Sequence, residues 1–392
     1  MAGFLHNMRA AAGREIGRMR RMPIYFALLV LLPLLSFGFF AALLGRGVAR
    51  DIPVALFDED RTPLSRTVAR MIDDTPTVRI AYDVQQMDEA ERLMREGKIA
   101  AIVQIPDFFE KNILSNRQTR IESYIAGTNI SVNGLLSKDI QTAVTTFSAG
   151  IQLQLLTKQG LTERQAMAQL MPVRFDKHVL FNPYVNYAYY LTPSFLPMML
   201  MIFTVMATVF ALGAELKNGT SGEWIATAGG SVTAAFAGKL LPVTALLLLQ
   251  ALAMGWIVVG LVGVPLNGNF GLLLAGTVLF VAAYQSIALL FVALVANMRL
   301  ALSLGGGYSV LAFTFSGLTF PVMAMWEPVQ WLSRLFPFTY YTDLVVDQML
   351  RGAPVAASLP DLGWMGLFVV LPLLALPRLK RVATDPTFWG RL

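Results

Sequence analysis

The sequence predicts a membrane α-helical protein with six transmembrane helices and an α/β extracytoplasmic domain between helices 1 and 2. Of the 392 residues, 55% are hydrophobic and only 14% are charged, a composition too apolar for a water-soluble fold of this length. Six uncharged apolar segments follow one another along the chain, and residues 45–190, which separate the first two, have an ordinary soluble composition. The bilayer must therefore solvate much of the protein.

Residue types that carry chemistry are scarce. The chain has no cysteine and only two histidines, His6 and His178, which excludes a disulfide scaffold, a thiol enzyme and an iron–sulfur protein. The acidic run Asp58, Glu59, Asp60 invites interpretation as a metal site. No histidine or second acidic cluster stands near it, and it fits an exposed turn followed by a helix start better. No metal site is predicted.

Residues 1–23 are predicted to form a cytoplasmic amphipathic helix and residues 24–44 the first transmembrane helix. Segment 24–44 has 21 uncharged residues, enough to cross a hydrocarbon layer of roughly 30 Å at about 1.5 Å per residue. A cleavable signal peptide is the alternative. The anchor is favoured because Arg46 and Arg50, rather than a small-residue cleavage site, follow the segment.

Five further transmembrane helices are predicted in the second half of the chain. They lie at 192–213, 240–262, 270–296, 300–325 and 362–376. The last is the shortest, and its alternative is a tilted or partly interfacial helix. Loss of this span would place the C-terminus outside. Residues 321–360 are interrupted by prolines and rich in aromatic residues, which indicates either short helices that dip into the membrane or an ordinary interfacial aromatic belt.

The charge distribution predicts the orientation. Five arginines and one acid precede residue 23, and the C-terminal tail is basic, so both termini are predicted to be cytoplasmic. Residues 191–392 then form a five-helix transmembrane region with a cytoplasmic loop at 214–239 and a cytoplasmic tail. Between Arg46 and Tyr189 the 17 basic and 17 acidic residues balance. Positive charge placed at membrane edges argues against binding of nucleic acid, which needs a basic stripe on a folded surface.

The first half of the outer domain alternates between two periodicities. Strands are predicted at 52–57, 77–82 and 99–105, and helices at 63–72 and 87–95. The order βαβαβ indicates a mixed or parallel sheet.

The second half of the outer domain predicts a long amphipathic helix. Its apolar residues recur at intervals of three and four: Ile140, Val144, Phe147, Ile151 and Leu155. This apolar stripe packs either against the sheet of the same domain or against a partner or substrate.

Ion-driven transport and ATP hydrolysis within this chain are both disfavoured. Ion-coupled carriers need titratable groups at membrane depth, and the six predicted spans contain no Asp, Glu, Lys, Arg or His. The nearest approach to a phosphate loop is Gly238-Lys239, but Thr233 and Leu240 stand where that motif requires Gly and Ser or Thr. No nucleophile elbow occurs either, so no catalytic residue is predicted and the chain is not expected to be an enzyme. After these exclusions, the class of function that remains is a transport component or receptor that another polypeptide powers.

Two stretches resemble ABC-2 type transporter permeases. The loop from Glu215 to Trp224 reads ELKNGTSGEW, which is similar to the family pattern E-x-x-x-G-T-x-E with one extra residue before Glu223, and KLLP follows at 239–242. Residues 316–321 (SGLTFP) and 336–340 (FPFTY) form the second match. The chain departs from the family at 226–230, where a proline is expected. The resemblance covers essentially the whole chain.

The resemblance implies a permease of the drug or multidrug export subfamily with a large periplasmic domain after the first helix. Such a permease sits in the bacterial inner membrane and moves a hydrophobic or amphipathic compound, drug-like or lipid, outward. It pairs with a second permease, identical or homologous, and with an ATP-binding subunit that holds ATP and Mg; often a periplasmic membrane-fusion adaptor joins them. The chain itself would carry no cofactor, and its environment is the lipid membrane.

By the same resemblance, the loop after the second span would couple the permease to the ATPase. The residues that would do so are Glu215, Gly219, Thr220, Gly222 and Glu223. Carboxylates suit charge-assisted bonds there and glycines permit a tight backbone path. The alternative is a solvated connector. The arginine-rich N-terminal helix would lie on the inner leaflet and touch the same partner.

The cargo path is expected where two permeases meet, along the second and fifth spans. Candidate residues are Met198, Met201, Phe313, Phe315, Gly317 and Pro321, because flexible methionine and aromatic side chains suit variable hydrophobic ligands. Ordinary packing is the alternative for each of them. A different class of function also stays open, namely a membrane-anchored scaffold or receptor whose periplasmic domain binds an envelope partner.

Overall fold

The computed structural model describes residues 2–45, 47–171, 178–183, 185–318 and 320–390. The chain divides into two units, of which unit 1 comprises Met1–Gly47 and Val179–Leu392 and unit 2 comprises Val48–His178. The helices are, in chain order, α1 Ala2–Arg21, α2 Pro23–Leu44, α3 Pro63–Asp73, α4 Met87–Arg95, α5 Phe109–Leu114, α6 Ile130–Lys158, α7 Glu163–Leu170, α8 Tyr187–Asn218, α9 Ser221–Thr227, α10 Val232–Leu261, α11 Phe270–Val295, α12 Met298–Thr314, α13 Glu327–Ser333, α14 Pro337–Val345 and α15 Val355–Thr384.

Unit 2 is built on one four-stranded sheet. Its strands are β1 Ile52–Asp58, β2 Val78–Val84, β3 Ala101–Ile105 and β4 Glu122–Ile125. The spatial order is β2-β1-β3-β4, with β1 parallel to both neighbours and β4 antiparallel to β3. The order βαβαβ is as predicted, and the sheet is mixed, one of the two arrangements that this order left open. The short strand β4 was not predicted.

The long helix α6 covers the sheet of unit 2. Asn129 caps its first turn by accepting from the amides of Ser131 and Val132. Leu136, Ile140, Ala143 and Phe147 are buried in one cluster with β-strand and α3 side chains, among them Val54, Val68, Ile72, Val103 and Ile105. The predicted stripe therefore packs, over this part, inside its own domain. Further along α6, Ile151 and Leu155 line an open groove of about 440 Å³.

Unit 1 contains the membrane helices. Five helices are long and apolar enough to cross a bilayer within the described ranges: α2, α8, α10, α11 and α15. They match the first, second, third, fourth and sixth predicted spans, and most of them extend beyond the predicted bounds. Helix α8 starts at Tyr187 rather than at residue 192 and ends at Asn218 rather than at residue 213. Helix α15 runs well past the predicted 362–376, with a 3-10 stretch at Leu371–Ala375.

The fifth predicted span, 300–325, is wrong in its second half. Helix α12 has 17 residues and ends at Thr314. Beyond it the chain turns at Phe315, and Gly317 has φ +94°, a conformation that no helix contains. Residues 315–325 are apolar, so composition alone extended the helix; Thr319 within them lies outside the described residues. The chain then forms the short helices α13 and α14 before α15, as the alternative of short helices predicts.

Two of the apolar helices contain a widened π-helical turn, and a third such turn follows α14. These turns lie at Ala27–Leu31 in α2, at Ile257–Leu261 in α10 and at Val346–Arg351 directly after α14. A π turn displaces the backbone hydrogen bonds of its neighbours. In α2, the carbonyl of Leu29 accepts a hydrogen bond from the side-chain amide of Gln250 at 2.5 Å. This bond fixes the register of α2 against α10.

Candidate functional site

The N-terminal helix α1 packs against the start of α10. Ala11 is buried there, and a Cβ at Gly238 would lie only 2.3 Å from the carbonyl oxygen of Met8. Glycine at this position therefore allows the two helices to approach at backbone distance. Phe4 and Ile16, on other sides of α1, stay exposed, as expected of an amphipathic helix on a membrane surface.

This contact brings basic residues of α1 to the end of α8. Glu215, which is 0% exposed, accepts hydrogen bonds from the Arg14 guanidinium at 2.5 and 3.3 Å. It also bonds Arg18 and the hydroxyl of Thr220. Lys239 of α10 completes the set, with its Nζ 2.8 Å from Glu215 Oε1. One carboxylate thus joins α1, α8 and α10.

Lys239 is the centre of a buried set of charges. It is 0% exposed and bonds both Glu215 and Glu15 of α1. Glu15 also accepts from the hydroxyl of Tyr25 in α2, and Arg18 lies 3.7 Å from it. We call Arg14, Glu15, Arg18, Glu215 and Lys239 the ion cluster. Its three cations and two carboxylates are all buried or half-buried.

The ion cluster corrects two expectations. The predicted spans contain no ionisable residue, whereas helices α8 and α10 extend far enough to include Glu215 and Lys239. The loop predicted at 214–239 is correspondingly shorter: only residues 219–231 connect the two helices, and α9 lies within them. Buried charges are tolerated when they are paired and hydrogen-bonded. Glu215 therefore faces the interior of the chain and has no free carboxylate oxygen to offer a partner in this arrangement.

The loop helix α9 contacts the ion cluster through Trp224, and Thr220, just before the helix, bonds Glu215. The ring of Trp224 is buried with Lys239 Nζ 5.0 Å from its centroid, within the range of a cation–π contact. The Trp224 indole N–H donates to the carbonyl of Ala235 at 3.2 Å. Gly219 ends α8 in the left-handed conformation, at φ +68°, and the next residue, Thr220, bonds Glu215. Both ends of this connection are thus fixed to neighbouring helices.

The outer side of α9 is exposed. Glu223 and Gly222 both face outward, and Glu223 has no hydrogen bond or ion pair from its carboxylate among those described. The C-terminal segment lies beside this surface, because the Gly390 amide donates to the Leu216 carbonyl at 2.9 Å. A Cβ at Gly222 would lie 3.2 Å from the Trp389 ring. Of the five predicted loop residues, Glu215 is thus buried, whereas Gly222 and Glu223 are accessible.

The candidate path residues lie where α8 packs against α12. A Cβ at Gly305 would be 2.4 Å from Val205 Cγ1, so these helices are in close contact. Phe313 packs against Phe195 with ring centroids 5.3 Å apart. Met201 is fully buried and lines no open surface in this arrangement.

The other path candidates are less enclosed. Met198 and Phe315 are half-buried, whereas Gly317 and Pro321 lie beyond the end of α12. The structure brings together the two helices that were predicted to line the path. Phe313 and Met201 are packed between them.

Sequence analysis missed the ion cluster as a unit. Arg14, Arg18 and Glu15 belong to the helix predicted on the inner leaflet, and Lys239 directly precedes the predicted span 240–262. Two signals were present: Glu15 is the single acid in an arginine-rich helix, and Lys239 lies in a long apolar helix. Charges in such positions call for partners, but sequence spacing does not identify those partners.

These features define a multi-pass membrane protein whose helix ends are joined through a buried ion cluster and a short exposed loop helix. The family model described as "ABC-2 family transporter protein" matches residues 23–376, and the chain belongs to that family. It is thus a membrane component of an ABC transporter, and the family implies association with an ATP-binding subunit. A search of curated proteins found no match.

Proposed function

We propose that this chain is the membrane-spanning permease subunit of an ATP-driven exporter. It moves a hydrophobic or amphipathic compound, drug-like or lipid, out across the bacterial inner membrane, and a separate ATP-binding subunit supplies the energy. The observation that carries this proposal is the exposed helix α9 fixed to the ion cluster. Family membership and the basic N-terminal helix support it, because positive segments stay on the cytoplasmic side.

The contacts of α9 suit the transmission of force. Trp224 connects it to α10 through Ala235 and Lys239, and Thr220 connects it to α8 through Glu215. A partner that pushes on the exposed side of α9 therefore acts on two membrane helices at once. Because packed elements rearrange as units rather than deform, such a push would rock α8 and α10 together.

In this proposal, two permeases form the path for cargo between them, and α8 and α12 of each line it. The aromatic side chains of Phe195 and Phe313 offer apolar, polarisable surface to varied compounds. Unit 2 would lie in the periplasm, where a membrane-fusion adaptor could reach it. ATP and Mg would be held by the partner, and this chain would catalyse no reaction.

The exposed acid Glu223 provides the test. The permease should be reconstituted with its ATP-binding subunit as wild type, Glu223→Lys and Glu163→Lys, the last being an exposed acid in α7 of unit 2. We expect Glu223→Lys to reduce the permease-dependent ATPase rate about tenfold, the loss of one charge-assisted contact worth roughly 1.5 kcal/mol. Glu163→Lys should behave as wild type.

Two results would count against coupling through α9. One is an unchanged ATPase rate in Glu223→Lys at normal yield and thermal stability. The other is a purified chain that never associates with an ATP-binding subunit, which would favour the membrane-anchored scaffold or receptor. Unfolding of Glu223→Lys is not expected, because the side chain is exposed.

A further inference from the structure

A cavity of about 480 Å³ lies in unit 1 at the opposite ends of α8 and α10 from the ion cluster. It is enclosed by the first turns of α8, the last turns of α10, the start of α11, and α14 with the π turn after it. The volume falls within the roughly 300–1,000 Å³ of typical small-molecule sites. Among the residues that line it, none is charged.

The cavity wall carries one buried hydroxyl without a partner. Thr192 is 1% exposed, and its Oγ1 has no hydrogen-bond partner among the residues that the structure describes. Such a group costs about 1–3 kcal/mol when it stays unpaired. Thr192 lines the cavity, so a molecule bound there is able to pair with it.

Two prolines add polar groups beside Thr192. Pro193 and Pro197 lie inside α8 and also line the cavity. Since proline has no amide hydrogen, the carbonyls of Tyr189 and Pro193 lose the donor that an unbroken helix would supply. Of these two residues, Pro193 belongs to the cavity wall, so its carbonyl is a backbone acceptor next to Thr192 in the chain.

The other hydroxyls of the wall are already paired. Thr277 Oγ1 and the Tyr341 hydroxyl lie 2.8 Å apart, and Thr277 also donates to the Leu273 carbonyl at 2.8 Å. Of the three hydroxyl groups in the wall, only that of Thr192 thus lacks a partner among the described residues.

The mouth of the cavity is apolar and open. Trp256 is 64% exposed, and Leu252 and Phe270 are about half exposed or more. All three line the cavity. In a membrane-spanning helix bundle, such surface faces lipid, which gives a hydrophobic molecule lateral access from the bilayer.

We infer that this cavity binds a neutral, long-chain amphiphile with a hydroxyl group, taken from the bilayer. Its chain fills the apolar space, and its hydroxyl pairs with Thr192 and the neighbouring carbonyl of Pro193. An ionised head group is rejected, because the wall offers no opposite charge and an unpaired buried charge is costly. The site lies within one chain, so it does not depend on the partner ATPase or on the proposed export function.

The test uses the full chain in phosphatidylcholine nanodiscs and a hexadecanol that carries a diazirine near the middle of its chain. After irradiation, mass spectrometry locates the labelled peptides. We expect saturable labelling of the α10 and α11 segments that line the cavity. Excess hexadecanol should compete for the site, whereas ionised palmitate and hexadecane should compete at least about tenfold less well. The site offers no opposite charge to palmitate, and hexadecane has no hydroxyl.

Two variants separate the cavity from the general lipid surface. Gly255 lines the cavity, and a Cβ there would meet no atom within 4 Å. Gly255→Leu should therefore fill the space without a clash and abolish saturable labelling. Its control is Gly306→Leu, an exposed helical glycine outside the cavity whose Cβ also meets nothing.

Thr192→Val keeps the side-chain shape and removes the hydroxyl. It should weaken competition by hexadecanol about tenfold and leave competition by hexadecane unchanged. Its control is Thr208→Val, because Thr208 lies in the same helix, is 0% exposed and also has an unpartnered hydroxyl, but does not line the cavity.

Labelling that does not saturate, or that persists in Gly255→Leu, overturns the site. Saturable labelling that Thr192→Val does not weaken overturns the role assigned to the hydroxyl. If Gly255→Leu fails to fold, its elution profile shows this. Saturation and competition in the wild-type chain then test the site, and Thr192→Val tests the hydroxyl.

Discussion

Helices α8 and α10 bury polarity differently at their two ends. At one end, five ionisable side chains meet and each carboxylate has several partners. At the other end, the described residues of the cavity wall include none that is charged, and none of the described residues pairs with Thr192 Oγ1. The paired charges connect three helices of the chain. The unpaired hydroxyl lowers the stability of the fold and is able to bond a ligand.

The difference predicts opposite responses to the same kind of substitution. Removal of a polar group from the ion cluster should destabilise the fold, because its partners stay behind in a buried place. Removal of the hydroxyl from the cavity should stabilise the fold, because nothing is left unpaired. Two substitutions test this contrast, and a third tests the close approach of α1 and α10 that brings the ion cluster together.

Lys239→Met should have the largest effect. It leaves Glu15 and Glu215 buried without the cation that lies between them, which costs roughly 3–5 kcal/mol of unfolding free energy. Denaturation of the purified chain in mixed detergent micelles measures this loss. Lys217→Met is the control, because Lys217 is exposed near the same end of α8. Equal stability of the two variants would contradict the structural role of the ion cluster.

Gly238→Ala should have an intermediate effect. Its Cβ would lie 2.3 Å from the Met8 carbonyl oxygen and 2.7 Å from Ala11 Cβ, so α1 must move away from α10. Overpacking of this kind costs about 1–3 kcal/mol. Hydrogen exchange should accelerate in residues 2–21, whereas Gly306→Ala, with open space at its Cβ, should leave it unchanged. Protection of α1 equal to wild type would show that the close approach is not required.

Thr192→Val should have the smallest effect and the opposite sign. Without ligand, the loss of an unpartnered buried hydroxyl should raise the free energy of unfolding by about 1 kcal/mol. Thr204→Val is the control, because the Thr204 hydroxyl already donates to the Leu200 carbonyl at 2.7 Å and its loss should bring no gain. Stabilisation of Thr204→Val by the same amount would remove the distinction between the two hydroxyls.

The sequence predicted unit 2 better than the helix ends of unit 1. Its strands and helices alternate over short distances, and helix Met87–Arg95 was predicted with its observed bounds. Strand β4 was not predicted, because it has four residues and none of them is fully buried. Local periodicity is informative wherever one face of an element is buried and the other is not.

Composition gave the positions of the membrane helices but not their ends. Helix α12 stops at Thr314 although the next residues are apolar, because Gly317 adopts a turn. Conversely, α8 continues through Glu215, since arginines of α1 neutralise it. Lys239 and Glu15 are 224 positions apart. Such pairs depend on tertiary packing, which no local pattern contains.

The π turns in α2, in α10 and after α14 bear on how the length of this chain can vary. A π turn spans one residue more than an α turn, so a helix that loses one residue there regains ordinary geometry without rotation of its flanking faces. The same deletion elsewhere in a span would turn every following side chain by about 100°. In an alignment of homologous chains, we expect single-residue gaps to concentrate at positions 27–31, 257–261 and 346–351.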